Sequence, residues 1–113
     1  MGLALSTAWN AFRCTNANKL IAEIKSLGFE EVELSFNLTA SMVKGIEKAA
    51  RKGQIKISSL HNFCPIPRGL RRKEALPDYY SMASLDKEER EKSLELTKIT
   101  IDTAERLGAK AVI

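Results

Sequence analysis

Strand-like and helix-like segments alternate along the whole chain, and this alternation constrains the fold more than any other feature. Amphipathic segments with apolar residues at helical spacing separate short segments with the composition of strands. The predicted strands lie at 3–7, 32–36, 55–60 and from 111 onward. A β-α-β-α-β-α-β order is typical of a parallel sheet with right-handed crossover connections.

The boundaries of the three predicted helices follow from their capping residues. We expect Asn16 or Asn18, then Thr39, then Ser84 or Asp86 to cap the amino ends. Glycine ends each helix because it enters the left-handed conformation without a steric penalty. These glycines are Gly28, Gly53 and Gly108. The buried face of the third helix is predicted to consist of Leu94, Thr97, Ile101, Ala104 and Leu107.

The second strand distinguishes two parallel architectures, an open doubly wound sheet and a closed eight-stranded barrel. Its residues alternate, with Val32, Leu34 and Phe36 on one face and Glu33 and Ser35 on the other. An interior strand of a doubly wound sheet is apolar on both faces. A barrel strand instead turns polar residues inward near its carboxyl end. The pattern favours the barrel, and the alternative is an edge strand with Glu33 in water.

Composition sets further limits. Residues 1–113 leave room for one domain at most, and the net charge of +4 does not by itself indicate nucleic acid binding. The two cysteines, Cys14 and Cys64, lack metal-site spacing and are expected to be free thiols in the cytoplasm. No apolar run approaches the roughly 18 residues of a membrane span, so no membrane partner is expected.

Four polar or aromatic residues lie where a ligand site is expected. Ligands of parallel α/β folds bind at the carboxyl ends of the strands. Trp9 follows the first strand, Glu33 lies near the end of the second, and His61 and Asn62 end the third. Each also has a structural interpretation, such as packing for Trp9 or a structural hydrogen bond for His61.

A long loop, 62–84, follows the third strand and must pass over the same end of the sheet. It contains a basic cluster of Arg68, Arg71, Arg72 and Lys73. Guanidinium groups bind phosphate in a bidentate manner, so the cluster is either a solvated loop or part of a site for a phosphorylated substrate.

Three segments resemble the sugar phosphate isomerase/epimerase family, the xylose isomerase-like TIM barrels. Residues 27–34 (LGFEEVEL) resemble the second strand of the family and 59–65 (SLHNFCP) its third strand and exit. Residues 84–90, continued by 102–112, resemble the third helix and fourth strand. The resemblance implies an α/β fold with the first four strands and three helices of a (β/α)8 barrel, as a partial barrel.

The resemblance also implies a function, a metal-dependent isomerase or epimerase of a sugar or sugar phosphate. The family holds a divalent metal (Mn, Mg, Co or Zn) with ligands from strands beyond the fourth. Trp9, Glu33, His61 and Asn62 would then bind the substrate, and no metal ligand or catalytic residue is assigned to this chain. The chain is accordingly expected to be the amino-terminal part of a longer enzyme and inactive alone.

Two other functions remain open. One is an endonuclease IV-like abasic-site nuclease, in which a third-strand histidine binds zinc. The mild net charge and the single histidine disfavour nucleic acid as a partner. The other is a non-catalytic assembly module, in which a second copy or a complementary half-barrel chain completes the barrel.

Overall fold

A computed structural model describes residues 2–113, which is every residue except Met1. Four parallel strands form one sheet in the order β1-β2-β3-β4, as predicted. The strands are β1 (Ala4–Ser6), β2 (Glu31–Leu34), β3 (Lys56–Leu60) and β4 (Ala111–Val112). The helices are α1 (Ala8–Ala11), α2 (Ala17–Ser26), α3 (Ala40–Arg51) and α4 (Lys87–Leu107), with a 3-10 turn at Arg72–Glu74.

The three long helices begin at predicted caps. The Asn16 side chain accepts hydrogen bonds from the backbone of Asn18 and Lys19, and Thr39 accepts one from Met42. Asp86 caps α4 by accepting from the backbone N–H of Glu88 at 3.0 Å. These bonds satisfy backbone donors that have no partner within the helix.

The predicted glycine at the end of each long helix is also confirmed. Gly108 follows α4 with φ +73°, and its N–H reaches back to the carbonyl of Ala104. The left-handed conformation at this point turns the chain directly into β4. Gly28 (φ +90°) and Gly53 (φ +75°) also have positive φ values after α2 and α3. Only glycine adopts this conformation without strain from a Cβ atom.

The core lies on one face of the sheet, between the strands and the long helices. Val32 and Leu34 of β2 and Ile57 and Leu60 of β3 are buried there. They share one hydrophobic cluster with residues of all three long helices, including Leu20, Ile21, Ile24, Met42, Val43, Ile46, Ala49 and Ala104. Because side chains alternate across a strand, Glu31, Glu33 and Ser59 lie on the opposite, inner face.

The buried face of α4 differs from the prediction. Leu94 and Ile101 are about half exposed, at 47% and 51%, whereas Ser93, Leu96, Thr100, Thr103 and Ala104 are buried. The threonine hydroxyls make this possible, since Thr100 and Thr103 donate to the carbonyls of Leu96 and Ile99 within the helix. A hydroxyl that donates to a carbonyl of its own helix can be buried at low cost. The predicted face is confirmed at Ala104, which is buried, and at Leu107, which packs against the core, but it is wrong at Leu94 and Ile101.

Smaller differences occur at the ends of the elements. The strands are shorter than predicted, and β2 ends at Leu34, so Phe36 lies beyond the apolar strand face to which it was assigned. Helix α1 and the 3-10 turn were not predicted. Among residues 2–113, no helix is both long and apolar enough to span a membrane.

Candidate functional site at the carboxyl ends of the strands

One row of inner-face residues crosses all four strands. Ser6 pairs with Glu33, Glu33 with Ser59, and Ser59 with Ala111. These side chains are small or polar, in contrast to the apolar residues on the helix-covered face. A slip in the β2–β3 register after Val32 brings Ser59, rather than Ser58, opposite Glu33. The row therefore contains a carboxylate flanked by two serines.

Glu33 is held by the neighbouring strand. The Ser59 hydroxyl donates a hydrogen bond of 2.9 Å to Glu33 Oε2. One carboxylate oxygen is thus oriented by β3, and the carboxylate keeps further acceptor capacity for a ligand. Toward the amino ends of the same two strands, Lys56 and Glu31 form an ion pair of 3.4 Å.

His61 follows β3 directly and is fixed by three contacts. Its backbone N–H donates to the carbonyl of Leu34 at 2.7 Å, which extends the pairing with β2. Its Nδ1 lies 3.1 Å from the carbonyl of Asn62, and its ring meets the edge of Phe36 at 5.5 Å between centroids. A carbonyl only accepts, so Nδ1 carries the proton and a neutral imidazole offers Nε2 as an acceptor.

Asn62 is oriented by α4. Its Nδ2 donates to Thr97 Oγ1 at 2.8 Å, and that hydroxyl in turn donates to the carbonyl of Ser93 at 2.7 Å. Because the Thr97 hydroxyl already donates its proton to the carbonyl of Ser93, it can only accept a hydrogen bond from Asn62. The NH2 group of the Asn62 amide, and not its oxygen, therefore faces Thr97. Asn62 Oδ1 is buried without a hydrogen-bond partner.

Trp9 lies apart from this group. It sits in α1, immediately after β1, and is 42% exposed. Its ring faces the guanidinium of Arg13 at 4.9 Å, whereas the aromatic neighbour of His61 is Phe36. The structure therefore places Glu33 and His61 at the ends of the neighbouring strands β2 and β3 and turns the Asn62 side chain toward α4. Trp9 lies at the end of β1.

A buried polar chain joins the ends of β1 and β2 beneath the site. Thr7 and Ser35 are both almost fully buried. The Ser35 N–H donates to Thr7 Oγ1, and the Thr7 hydroxyl donates to Ser35 Oγ, both at 2.9 Å. Ser35 Oγ also donates to the side chain of Asn37. These bonds fix the relative positions of the two strand exits.

The 62–84 loop folds over the carboxyl ends of β1 and β2, as predicted. Arg72 donates from Nη1 to the carbonyl of Cys14 at 3.1 Å and from Nε to the carbonyl of Asn37 at 3.2 Å. Arg71 instead pairs with Glu74 on the loop itself. Two of the four residues of the basic cluster, Arg71 and Arg72, thus have partners within the protein.

The cysteine in this loop has no features of a nucleophile. Cys64 is fully buried, and its backbone N–H donates to Thr100 Oγ1. Burial raises the pKa of the Cys64 thiol to about 12. The thiol is therefore protonated near neutral pH, and the thiolate is the reactive form.

The described residues do not form a metal site on their own. Within 2–113, no group of three or more His, Cys, Asp and Glu side chains is arranged to hold a metal ion. Glu33 and His61 are donors suited to divalent cations, but two ligands fall short of the three or four protein ligands of a zinc site.

Three residues that support the site were missed by the sequence interpretation. Ser59 binds Glu33, Thr97 binds Asn62, and Phe36 contacts His61. Period-two alternation back from His61 places Ser59 on the same face, so it could have been found. Thr97 could not, because its role depends on how α4 rotates against β3.

A parallel sheet with helices on one face and a polar inner face at the strand ends defines the class of TIM-barrel-type α/β proteins. The comparison with protein-family models agrees, since the xylose isomerase-like TIM barrel model matches residues 21–113. The chain belongs to this family, which includes isomerases, epimerases and endonuclease IV-like enzymes and is commonly metal-dependent. Searches of curated proteins and of solved structures found no match.

Proposed function

We propose that this chain is part of a cytoplasmic, metal-dependent isomerase or epimerase of a sugar or sugar phosphate. The observation that carries the proposal is the arrangement of Glu33 and His61 on one inner face of β2 and β3, each fixed by a neighbour. Fixed polar groups on rigid strands bind a small polar substrate with little loss of entropy on binding.

The two groups have complementary hydrogen-bonding capacity toward a polyhydroxylated ligand. The Glu33 carboxylate accepts bonds from hydroxyl groups, and one of its oxygens is already oriented by Ser59. His61 Nε2 accepts from a hydroxyl when the ring is neutral and donates to one when it is protonated. Asn62, held by Thr97, borders the same strand end. Adjacent hydroxyls of a sugar could be bound by Glu33 and His61 together.

The proposal assigns substrate binding to these residues and assigns them no metal ligand. Family resemblance implies that the metal is held by strands beyond the fourth, where it would polarise the carbonyl and hydroxyl oxygens of the sugar. We therefore propose that the 113 residues bind a sugar without converting it.

Replacing His61 by alanine tests the proposal. Binding of D-xylose, D-fructose and D-fructose 6-phosphate would be measured by calorimetry, together with the melting temperature. We expect His61→Ala to weaken binding of the preferred sugar about tenfold, the worth of one good hydrogen bond. Gln54→Ala is the control, because Gln54 is exposed before the amino end of β3.

The outcomes of this experiment are distinct. A loss of affinity with a nearly unchanged melting temperature supports a ligand-binding His61. A lower melting temperature with unchanged affinity means that His61 is structural. If the wild-type chain binds none of the sugars, the isomerase proposal fails at its binding step.

An endonuclease IV-like function is the second candidate, favoured by the geometry of His61. Histidines that bind metals commonly donate their other ring nitrogen to a backbone carbonyl, as His61 Nδ1 does to Asn62. Binding of an abasic DNA duplex whose affinity falls steeply with salt would favour this candidate over the isomerase. A stable homodimer that binds neither sugar nor DNA would favour the assembly module.

A further inference from the structure

The environment of Trp9 is built by two charged residues, Arg13 in the turn that follows α1 and Glu23 on α2. The Arg13 guanidinium carbon lies 4.9 Å from the centroid of the Trp9 ring and 6.0 Å from that of Phe12. Both distances fall within the range at which a cation is attracted to the face of an aromatic ring. One face of the indole is thus covered by a cation, while the side chain as a whole stays partly open to solvent.

Arg13 is itself held in place from α2. Its Nη1 donates to Glu23 Oε2 at 2.6 Å. The same oxygen accepts from Asn10 Nδ2 at 3.1 Å, and Asn10 is fully buried beside Trp9 on α1. Asn10 Nδ2 also donates to the carbonyl of Leu20 on α2. Glu23 therefore fixes both the short helix that carries Trp9 and the guanidinium that covers its ring.

We propose that Arg13, anchored by Glu23, is a positioning residue that holds the Trp9 indole with one face covered and the other presented to ligand. The proposal deepens the sugar-binding function proposed above, on which its ligand part rests. An apolar ring face at the end of β1 is suited to the C–H groups of a sugar, while Glu33 and His61 are suited to its hydroxyls.

The arrangement argues against simple surface packing. A tryptophan held by apolar packing alone would have apolar side chains, not a cation, against its covered face. Trp9 instead has a paired cation on one side, in a four-residue helix whose only buried residues are Asn10 and Ala11. A helix this short has little stability of its own. The polar contacts through Asn10, Arg13 and Glu23 are thus the means by which the ring is oriented.

Trp9 is the only tryptophan of the chain, so its fluorescence reports on this position alone. The first measurement is acrylamide quenching of the wild type, Arg13→Met, Arg13→Lys and Glu23→Gln. Methionine keeps the apolar stem of Arg13 and removes the cation. We expect the quenching constant to rise about twofold in Arg13→Met, because the second ring face becomes accessible. Arg13→Lys should restore much of the wild-type quenching constant, because lysine keeps the cation. Glu23→Gln should raise the quenching constant, because it weakens the anchor of Arg13 although Glu23 itself does not contact the ring.

Arg51→Met is the matched control. Arg51 also forms a surface ion pair with a glutamate, Glu47 at 2.9 Å, but on α3 and away from the aromatic contacts of Trp9. The Arg51→Met substitution should leave the quenching constant of Trp9 unchanged. The proposal is overturned if the quenching constant of Arg13→Met equals that of the wild type. It is also overturned if Arg51→Met raises the quenching constant as much as Arg13→Met does, because Arg13 then has no specific effect on the ring.

A sugar titration separates this proposal from the proposed function. The preferred sugar should change the Trp9 fluorescence of the wild type and bind Arg13→Met about threefold to tenfold more weakly, with binding partly recovered in Arg13→Lys. If the sugar binds the wild type and Arg13→Met equally, Arg13 does not position Trp9 for a ligand, although the sugar site itself is supported. If no sugar binds although quenching responds as expected, the proposed function fails and the ligand part of this proposal fails with it.

Discussion

Ser59 Oγ donates a 2.9 Å hydrogen bond to Glu33 Oε2, so that a carboxylate on one strand is oriented by the strand beside it. The two residues are in register on the inner face. This contact makes Glu33 a fixed acceptor rather than a freely rotating surface carboxylate. It also depends on the register slip in β2–β3, without which Ser59 would not face Glu33.

Removing the Ser59 hydroxyl should impair ligand binding as well as stability. Ser59→Ala is expected to cost about 1 kcal/mol of unfolding free energy, the usual worth of one hydrogen bond. Affinity for the preferred sugar should fall severalfold, because Glu33 loses its fixed orientation. Ser58→Ala is the control, since the Ser58 hydroxyl donates to the backbone carbonyl of Val32. Calorimetric titration of both variants, with denaturant unfolding, would check this; equal affinity losses in the two would contradict a specific role for Ser59.

Helices α2 and α3 approach so closely at one point that only glycine fits. A Cβ atom built on Gly45 would lie 2.5 Å from Cβ of Ala17. Alanine normally stabilises a helix interior over glycine by about 1 kcal/mol. Here we expect Gly45→Ala to destabilise the protein by about 1 to 2 kcal/mol net, because overpacking forces the helix backbones apart.

The partner substitution provides the test of that contact. Ala17→Gly removes the Cβ atom that Gly45→Ala would meet, so the double variant should recover most of the stability lost in Gly45→Ala. Urea unfolding of the two single variants and the double variant gives the coupling energy directly. Additive effects would mean that the two positions do not meet in solution.

The sequence predicted the parts of this structure that depend on local physics. The caps Asn16, Thr39 and Asp86 and the glycine after each long helix follow from backbone requirements that act within a few residues. The parallel strand order follows from the β-α alternation along the chain, as do the positions of Glu33, His61 and Asn62 at strand ends. The family match over 21–113 supports the barrel interpretation of β2.

What the sequence did not predict depends on packing between distant elements. The predicted face of α4 was right at Ala104 and Leu107 but wrong at Leu94 and Ile101. Thr100 and Thr103 are buried instead, because their hydroxyls donate to carbonyls of the same helix, which an apolar pattern cannot reveal. The role of Arg72 was missed because it also depends on residues that are distant in the sequence. It lies in a cluster of charges typical of a solvated loop, yet its partners are carbonyls at Cys14 and Asn37, far away in sequence.

Arg72 should therefore matter for stability far more than its neighbour. Arg72→Met removes two hydrogen bonds from a guanidinium to backbone carbonyls and is expected to cost about 2 kcal/mol. Arg71→Met removes an exposed ion pair with Glu74, worth at most about 1 kcal/mol. Both variants change the net charge equally. Thermal unfolding with limited proteolysis of the 62–84 loop would compare them, and equal losses would contradict the role of Arg72 as the contact that holds the loop.

The Glu23 network predicts how stability depends on pH. The hydrogen bond from Asn10 is the largest cause that lowers the pKa of Glu23 below its ordinary value of 4.5; burial opposes it, and Arg13 lowers it further. A carboxyl whose pKa is lower in the folded state stabilises the protein at pH values above the unfolded pKa. That contribution is lost as the pH falls through the folded pKa.

Glu23→Gln should remove this contribution and so flatten the acid side of the stability profile. Above about pH 5 the difference in unfolding free energy between the wild type and Glu23→Gln should be constant, and it should shrink steadily as the pH falls from about 4.5 toward 3. Urea unfolding at half-unit pH steps measures this difference in unfolding free energy. Glu105→Gln is the control, because Glu105 is exposed on α4. A difference that stays constant down to pH 3 would show that Glu23 is not held as a carboxylate by Asn10 and Arg13, and the anchoring of α1 to α2 would need another explanation.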